Sequence, residues 1–240
     1  IIFLWWLATT LGWVKPLFLP GPGAVLRKFL QVWNEGFTNT AFLTHVAVST
    51  ARVFGAFLLA CLIGIPLGLA MGMSPLVRGI FDPPIEFYRP IPPLAYLPLM
   101  IIWFGIGETS KVLLIFLSVL APVALGARAG VKSAAIEQIH AAYSFGASRW
   151  QVMRHVILPS ALPEILTAMR IGIGFGWTTL VAAEMVAATE GLGYMVLSAS
   201  QFLQTSTVIM GIVVIAAIAY AFELLMRFIE RKVVPWKGRM

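Results

Sequence analysis

Glu184 is a carboxylate inside an apolar run, 165–188, with Trp177 and Thr178 within two helical turns before it. A charge placed there is costly in hydrocarbon and by default faces protein or a wet cavity. Such a carboxylate can line a pathway and meet a passing cation, relay a proton, or accept an interhelical hydrogen bond. Thr178 and Thr179 add hydroxyls, which either point outward or bond back to their own helix. The second chemically rich stretch is 140–159, a polar insert between apolar runs that carries His140, Arg149, Arg154 and His155. Catalytic patterns are missing. No Gly is followed by Lys, so a phosphate-cradling loop cannot be built, and neither HExxH nor GxSxG occurs. Three scattered histidines and no acids at ligand spacing assign no metal site. Cys61, the one cysteine, sits in an apolar run and reads as a small buried residue.

The elements that must hold these groups are set by composition. Hydrophobic residues make up 60% of the 240 and charged residues 11%, with a mean hydropathy of +0.91. Soluble domains carry about a quarter charged residues, so this chain has too little polar surface to dissolve and is read as an all-α membrane protein. Runs of about twenty apolar residues mark spans. They fall near 46–73, 112–127, 165–188 and 208–226, with weaker candidates at 1–14 and 91–107, for about six in all. The apolar 1–14 stretch is read as part of a first span rather than a signal-peptide core. Pro92, Pro93 and Pro98 interrupt 91–107, so that span is expected to be irregular and internal. Gly64, Gly68 and Gly72 stack on one helix face, and Gly172 and Gly176 repeat the spacing. These are read as packing seams within the chain, with dimerisation as the alternative.

Net charge is +7, and its placement gives the topology. Five Lys/Arg follow residue 226 (Arg227, Arg231, Lys232, Lys237, Arg239), and four lie in 128–164 (Arg128, Lys132, Arg149, Arg154). The 189–205 loop has none. Positive residues collect on the cytoplasmic side, so 128–164, 74–90 and both termini are expected inside, and 15–45 and 189–205 outside. This accounts for the basic balance without nucleic acid. Arg52 and His45, near the outer end of 46–73, are read as interfacial anchors, with steering of an anion as the alternative, and Arg170 as snorkelling towards the cytoplasm.

Inside 128–164 two short amphipathic stretches meet at Gly146: Ile136, Ile139 and Tyr143, then Trp150, Met153 and Ile157. Ser148 with Gln151 fits a capping box, so a new helix starts just after Gly146. The result is a helix–Gly–helix elbow, a rigid apolar and basic knob.

Ala141-Ala142, Gly146 and Leu158-Pro159, at their spacing, resemble the ATPase-docking "EAA" loop of bacterial ABC importer permeases, with His140 where many members have Glu. The strings Phe87-Tyr-Arg-Pro-Ile-Pro-Pro, Phe104-Gly-Ile-Gly-Glu-Thr-Ser-Lys111, Leu180-Val-Ala-Ala-Glu-Met and Pro235-Trp-Lys are similar to the nitrate/sulfonate/taurine group of these permeases, nearest the taurine importers. The resemblance covers nearly the whole chain. It implies a type I importer permease fold with a cytoplasmic coupling-helix loop, in a bacterial inner membrane. It implies a homodimer, two cytoplasmic ATPases carrying ATP and Mg, and an external (periplasmic) substrate-binding protein. No cofactor is expected in this chain, and no enzyme activity of its own. Docking is carried onto His140, Ala141, Ala142, Gly146, Ala147, Ser148 and Arg149, and a translocation path onto Trp177, Thr178 and Glu184. The implied function is import of taurine by alternating access. The alternatives are other alkanesulfonates or small anions such as nitrate and, from another class, a proton-coupled carrier using Glu184.

Overall fold

A computed structural model describes residues 2–236. Among them the regular structure is helical, apart from an isolated bridge between Phe37 and Thr40. In chain order the helices are α1 (Ile2–Thr10), α2 (Pro22–Glu35), α3 (Phe42–Met73), α4 (Pro75–Tyr88), α5 (Pro93–Phe104) and α6 (Glu108–Val131). They continue with α7 (Ile136–Ser144), α8 (Arg149–Val152), α9 (Leu158–Ala187), α10 (Leu192–Gln201) and α11 (Thr205–Val233). A π-helical turn, Met153–Ile157, joins α8 to α9 without a break.

Among the described residues four helical stretches are long and apolar enough to cross a membrane: α3, α6, the run Arg149–Ala187, and α11. They coincide with four of the predicted spans. The span predicted at 91–107 differs, because its helix α5 has only 12 residues. The preceding stretch, 74–90, expected to be a loop, is the 14-residue helix α4. End to end the two reach about 39 Å at 1.5 Å per residue, enough for a core of about 30 Å. Pro90, Pro92 and Pro93 break them apart by removing backbone donors, and Tyr88 O accepts instead from Ile91 N at 3.0 Å in a tight turn. Asp82 and Glu86 of α4 are both paired by Arg128 of α6. At the chain start, α1 has nine residues, fewer than the predicted 1–14 span, and none of them is buried.

The centre is a three-helix stack of α3, α6 and α9. Lipid supplies no hydrophobic drive between helices, so close approach of small residues carries much of the association. Gly68 of α3 lies so near Ala124 O and Ala127 of α6 that a methyl group would overlap them, and Gly72 is pressed the same way on Val131. On the other side of α6, Gly126 meets Ala168 and Gly130 meets Ala161, while Gly172 and Gly176 of α9 sit on Val119 and Val123. The predicted glycine seams therefore close within one chain. The pairings also fix direction: α3 and α6 run parallel, and α9 runs antiparallel to both. Val53, Phe57, Ile115, Leu180 and Phe222 fill the centre with Trp177. Arg170, expected to snorkel, instead reaches Glu223 and, at 2.9 Å, Glu230, both on α11.

This stack has two ends. One carries the α7–α8 elbow. The other is covered by α2 and α10, whose Val25, Val32, Leu192 and Met195 pack with Phe42 and Met210.

Candidate functional site

Local sequence builds the elbow. Gly146 has φ +83°, its N–H reaches Tyr143 O at 2.9 Å, and Ala147 N–H reaches Ala142 O at 3.1 Å. Those two bonds are the Schellman closure of α7, for which glycine is the residue of choice. Ser148 then caps α8: Ser148 N–H donates to Gln151 Oε1 at 2.7 Å, and Gln151 N–H to Ser148 Oγ at 3.4 Å. The predicted capping box is present in both halves. Among the expected docking residues, His140, Ala141, Gly146, Ser148 and Arg149 are exposed. Ala142 and Ala147 are not on that outer face. They turn inward onto Val131, Ala134, Val152 and Ile157, and so hold the elbow together. The outer face gains Phe145, 91% exposed, with Tyr143 and Trp150 beside it. The sequence reading passed over Phe145, although an aromatic just before a left-handed glycine is held on the outside of a tight turn.

At the opposite end, His45, Ser49 and Arg52 lie on one face of α3, and all three are buried. Arg52 joins two carboxylates from two other helices. Its Nη1 donates to Glu184 at 2.7 Å and to Glu190 O at 2.8 Å. Its Nε and Nη2 donate to Glu108, each at 2.6 Å. Lys111 Nζ reaches the same Glu108 at 2.8 Å. Glu184, 0% exposed, also accepts from Ser49 Oγ at 2.7 Å and from Gly193 N–H at 2.8 Å. The first amides of α10 complete the cluster: Leu192 N–H donates to Ser49 Oγ at 2.8 Å, and Gly191 N–H to His45 Nδ1 at 3.1 Å. The proton of His45 is therefore on Nε2, which faces Phe37 O at 3.4 Å.

Two cations balance two anions here, and the helix N-terminus adds partial positive charge to the Glu184 side. Gly191, at φ +129°, admits the carboxylate, since a Cβ at this position would overlap it. Arg52 and His45 are thus interior ties, not the interfacial anchors expected. The sequence reading missed Glu108, Lys111, Gly191 and Gly193. The signal available was Gly-Leu-Gly following an intramembrane carboxylate by seven to nine residues.

The three residues expected along a pathway do not gather on one cavity. Glu184 is enclosed in this cluster. Trp177 is buried among Val53, Val119 and Leu180, with no hydrogen-bond partner for Nε1 among the described residues. Thr178 is exposed and bonds back to Phe175 O at 2.9 Å. A different space is open: a cleft of about 470 Å³ between the α4–α5 break, the middle of α6 and the first half of α9. Tyr88, Arg89, Tyr96, Ser118, Glu164 and Thr167 supply its polar lining. Among the described residues no cluster of three His, Cys, Asp or Glu is placed to hold a metal.

The fold and the sequence that carry the elbow, the buried cluster and the cleft are similar to those of known proteins. The fold matches that of the MetNI methionine ABC transporter in inward-facing conformations, with TM-score 0.68 at 21% identity over 80% of this chain and 95% of that one. By sequence the chain is 57% identical, over all of its length and 88% of the relative's, to the taurine transport system permease protein TauC of Escherichia coli (strain K12). It is 33% identical, over 99% of its length and 85% of the relative's, to the aliphatic sulfonates transport permease protein SsuC of Bacillus subtilis (strain 168), a protein named as putative. Residues 62–235 match the family model described as the binding-protein-dependent transport system inner membrane component. The chain therefore belongs to that family of inner-membrane transport permeases and has the type I ABC importer permease fold.

Proposed function

We propose that this chain is the membrane permease of an ATP-driven importer for taurine, working as a pair of identical copies. Each copy seats one cytoplasmic ATPase on its elbow, and an external binding protein delivers the substrate. ATP and Mg belong to the ATPases, and the elbow and C-terminus lie in the cytoplasm, as the Lys/Arg distribution supports. The full-length similarity to a taurine permease is the observation that carries the substrate assignment. The elbow supports the docking role, because a Schellman closure followed at once by a capping box makes a stiff projection tipped by Phe145, Tyr143 and Trp150.

The elbow is continuous with α9 through the π turn. When ATP closes the ATPase pair, displacement of the elbow moves α9 as a rod of about 45 Å, at 1.5 Å per residue over 30 residues. The far end of α9 is tied through Glu184 to α3, α10 and, by way of Arg52, α6. The outer ends of these helices therefore move together, as alternating access requires.

The test is uptake into proteoliposomes holding this chain, the ATPase and the binding protein. Taurine uptake that needs ATP and survives a protonophore supports the reading. Uptake without the ATPase that collapses with the proton gradient replaces it by a proton-coupled carrier. ATP-driven uptake of alkanesulfonates or nitrate in place of taurine refutes the substrate assignment alone.

A further inference from the structure

We propose that the cleft at the α4–α5 break is a binding site for a small zwitterion, with the sulfonate held by Arg89 and the ammonium by Glu164. The inference rests on the taurine reading and adds the place and the residues. Among the described residues, Arg89 and Glu164 are the two charged ones that line the cleft. They have opposite sign, both are exposed, and among the described residues neither makes an ion pair. That sets them apart from Arg52, Arg128 and Arg170 of the helical core, each of which engages two carboxylates.

Their neighbours meet α6 at different levels. Tyr88, next to Arg89, bonds through its hydroxyl to Leu117 O of α6, while Gly126 of α6 faces Glu164 O. Leu117 and Gly126 are separated by about 13 Å of helix at 1.5 Å per residue. The two residues line the cleft from different helices, Arg89 at the end of α4 and Glu164 on α9, so a short solute with an anion at one end and a cation at the other can meet both.

The backbone points the same way independently. Pro90, Pro92 and Pro122 all line or border the cleft and cannot donate hydrogen bonds. Pro122 in particular leaves Ser118 O without its helical donor. Irregular backbone at membrane depth is tolerated where it is buried in protein or lines a water-filled cavity. Ile91, Ile171 and Phe175 supply apolar wall for a two-carbon linker.

Charge balance selects the ligand class. One Arg and one Glu sum to zero, so a zwitterion enters without adding net charge, and each of its ends replaces lost water with an opposite charge. Arg suits an oxyanion through its planar fork of donors. A simple alkanesulfonate would satisfy Arg89 but leave Glu164 unpaired beside a second negative group. Arg89 thus provides sulfonate binding, and Glu164 provides preference for the amine.

The experiment measures taurine uptake by the complete importer with Arg89→Gln, Glu164→Gln and Glu164→Asp, at matched recovery of the ATPase complex. The expected result is at least a tenfold loss for both Gln variants and less than threefold for Asp. In parallel, Ser118→Cys in a Cys61→Ala background reports occupancy by maleimide labelling, without the binding protein. Taurine should slow labelling several-fold and ethanesulfonate much less, with Glu164→Gln removing the difference. Wild-type taurine uptake with both Gln variants within twofold overturns the site and leaves the taurine reading standing. Equal protection by the two ligands also overturns it. Absence of wild-type taurine uptake overturns both together.

Discussion

Removing the carboxylate of Glu184 tests whether the cluster at the elbow-distal end is a structural tie. Glu184→Leu fills the space but leaves Arg52 Nη1, Gly193 N–H and the Ser49 hydroxyl facing an apolar side chain. Arg52 keeps only Glu108 as a counter-charge, and Glu108 is 60% exposed while Glu184 is 0%. Breaking a buried pair from one side costs about 3–5 kcal/mol. Against a total of about 5–15 kcal/mol, that is a sizeable fraction of the stability, enough to move the unfolding midpoint well below that of the wild type. Glu184→Gln retains an acceptor oxygen but turns the second one into a donor aimed at existing donors, so about half that loss is expected. Arg52→Met combined with Glu184→Met should cost clearly less than the sum of the two single changes, because no buried charge is left unpaired. The assay is thermal unfolding of the purified complex in lipid nanodiscs, with taurine uptake normalised to assembled protein. A structural tie lowers the midpoint, and uptake per assembled complex falls with it because the outer ends of α3, α9 and α10 lose their link. Unchanged thermal stability with uptake abolished would refute the reasoning and return Glu184 to the transport path.

Gly191→Ala should destabilise by about 1–3 kcal/mol, from a side chain forced to positive φ and from overlap with the Glu184 carboxylate; a midpoint equal to wild type would contradict this. At the elbow, Phe145→Asp should leave the chain folded in the membrane yet lose the co-purifying ATPase. Gly146→Pro should do the same by forbidding the φ of +83°; normal ATPase recovery by both would remove the docking assignment. Ala142→Arg is expected to act differently, by disrupting the packing of the elbow itself, and circular dichroism or proteolysis of the loop should register it. For topology, cysteines at Ser133 and Ser198 in a Cys61→Ala background should label from opposite faces of the membrane, and labelling of both by an impermeant reagent in intact cells would overturn the orientation.

The features legible in the sequence are those whose partners are close along the chain. Hydropathy located α3, α6, α9 and α11 because the twenty-odd apolar residues that fill a bilayer are contiguous. The capping box at Ser148 and Gln151 and the turn at Gly146 were readable because three-residue and four-residue spacings are fixed by helical geometry. Arg52, by contrast, lies 132 residues from Glu184 and 56 from Glu108, and nothing local distinguishes it from an interfacial anchor. Its role was decided when the glycine seams set how α3, α6 and α9 pack and which residues come level. The same holds for α4: its charges and prolines look like a loop until Arg128 neutralises Asp82 and Glu86 from another helix. Ala142 shows the limit at short range, since the spacing placed it on the elbow but only packing against Val131 and Val152 turned it inward. Periodicity and caps depend on bonds within a turn or two of helix and follow from sequence alone. Charge partners, inward faces and the open cleft depend on distant helices, so tertiary packing decides them.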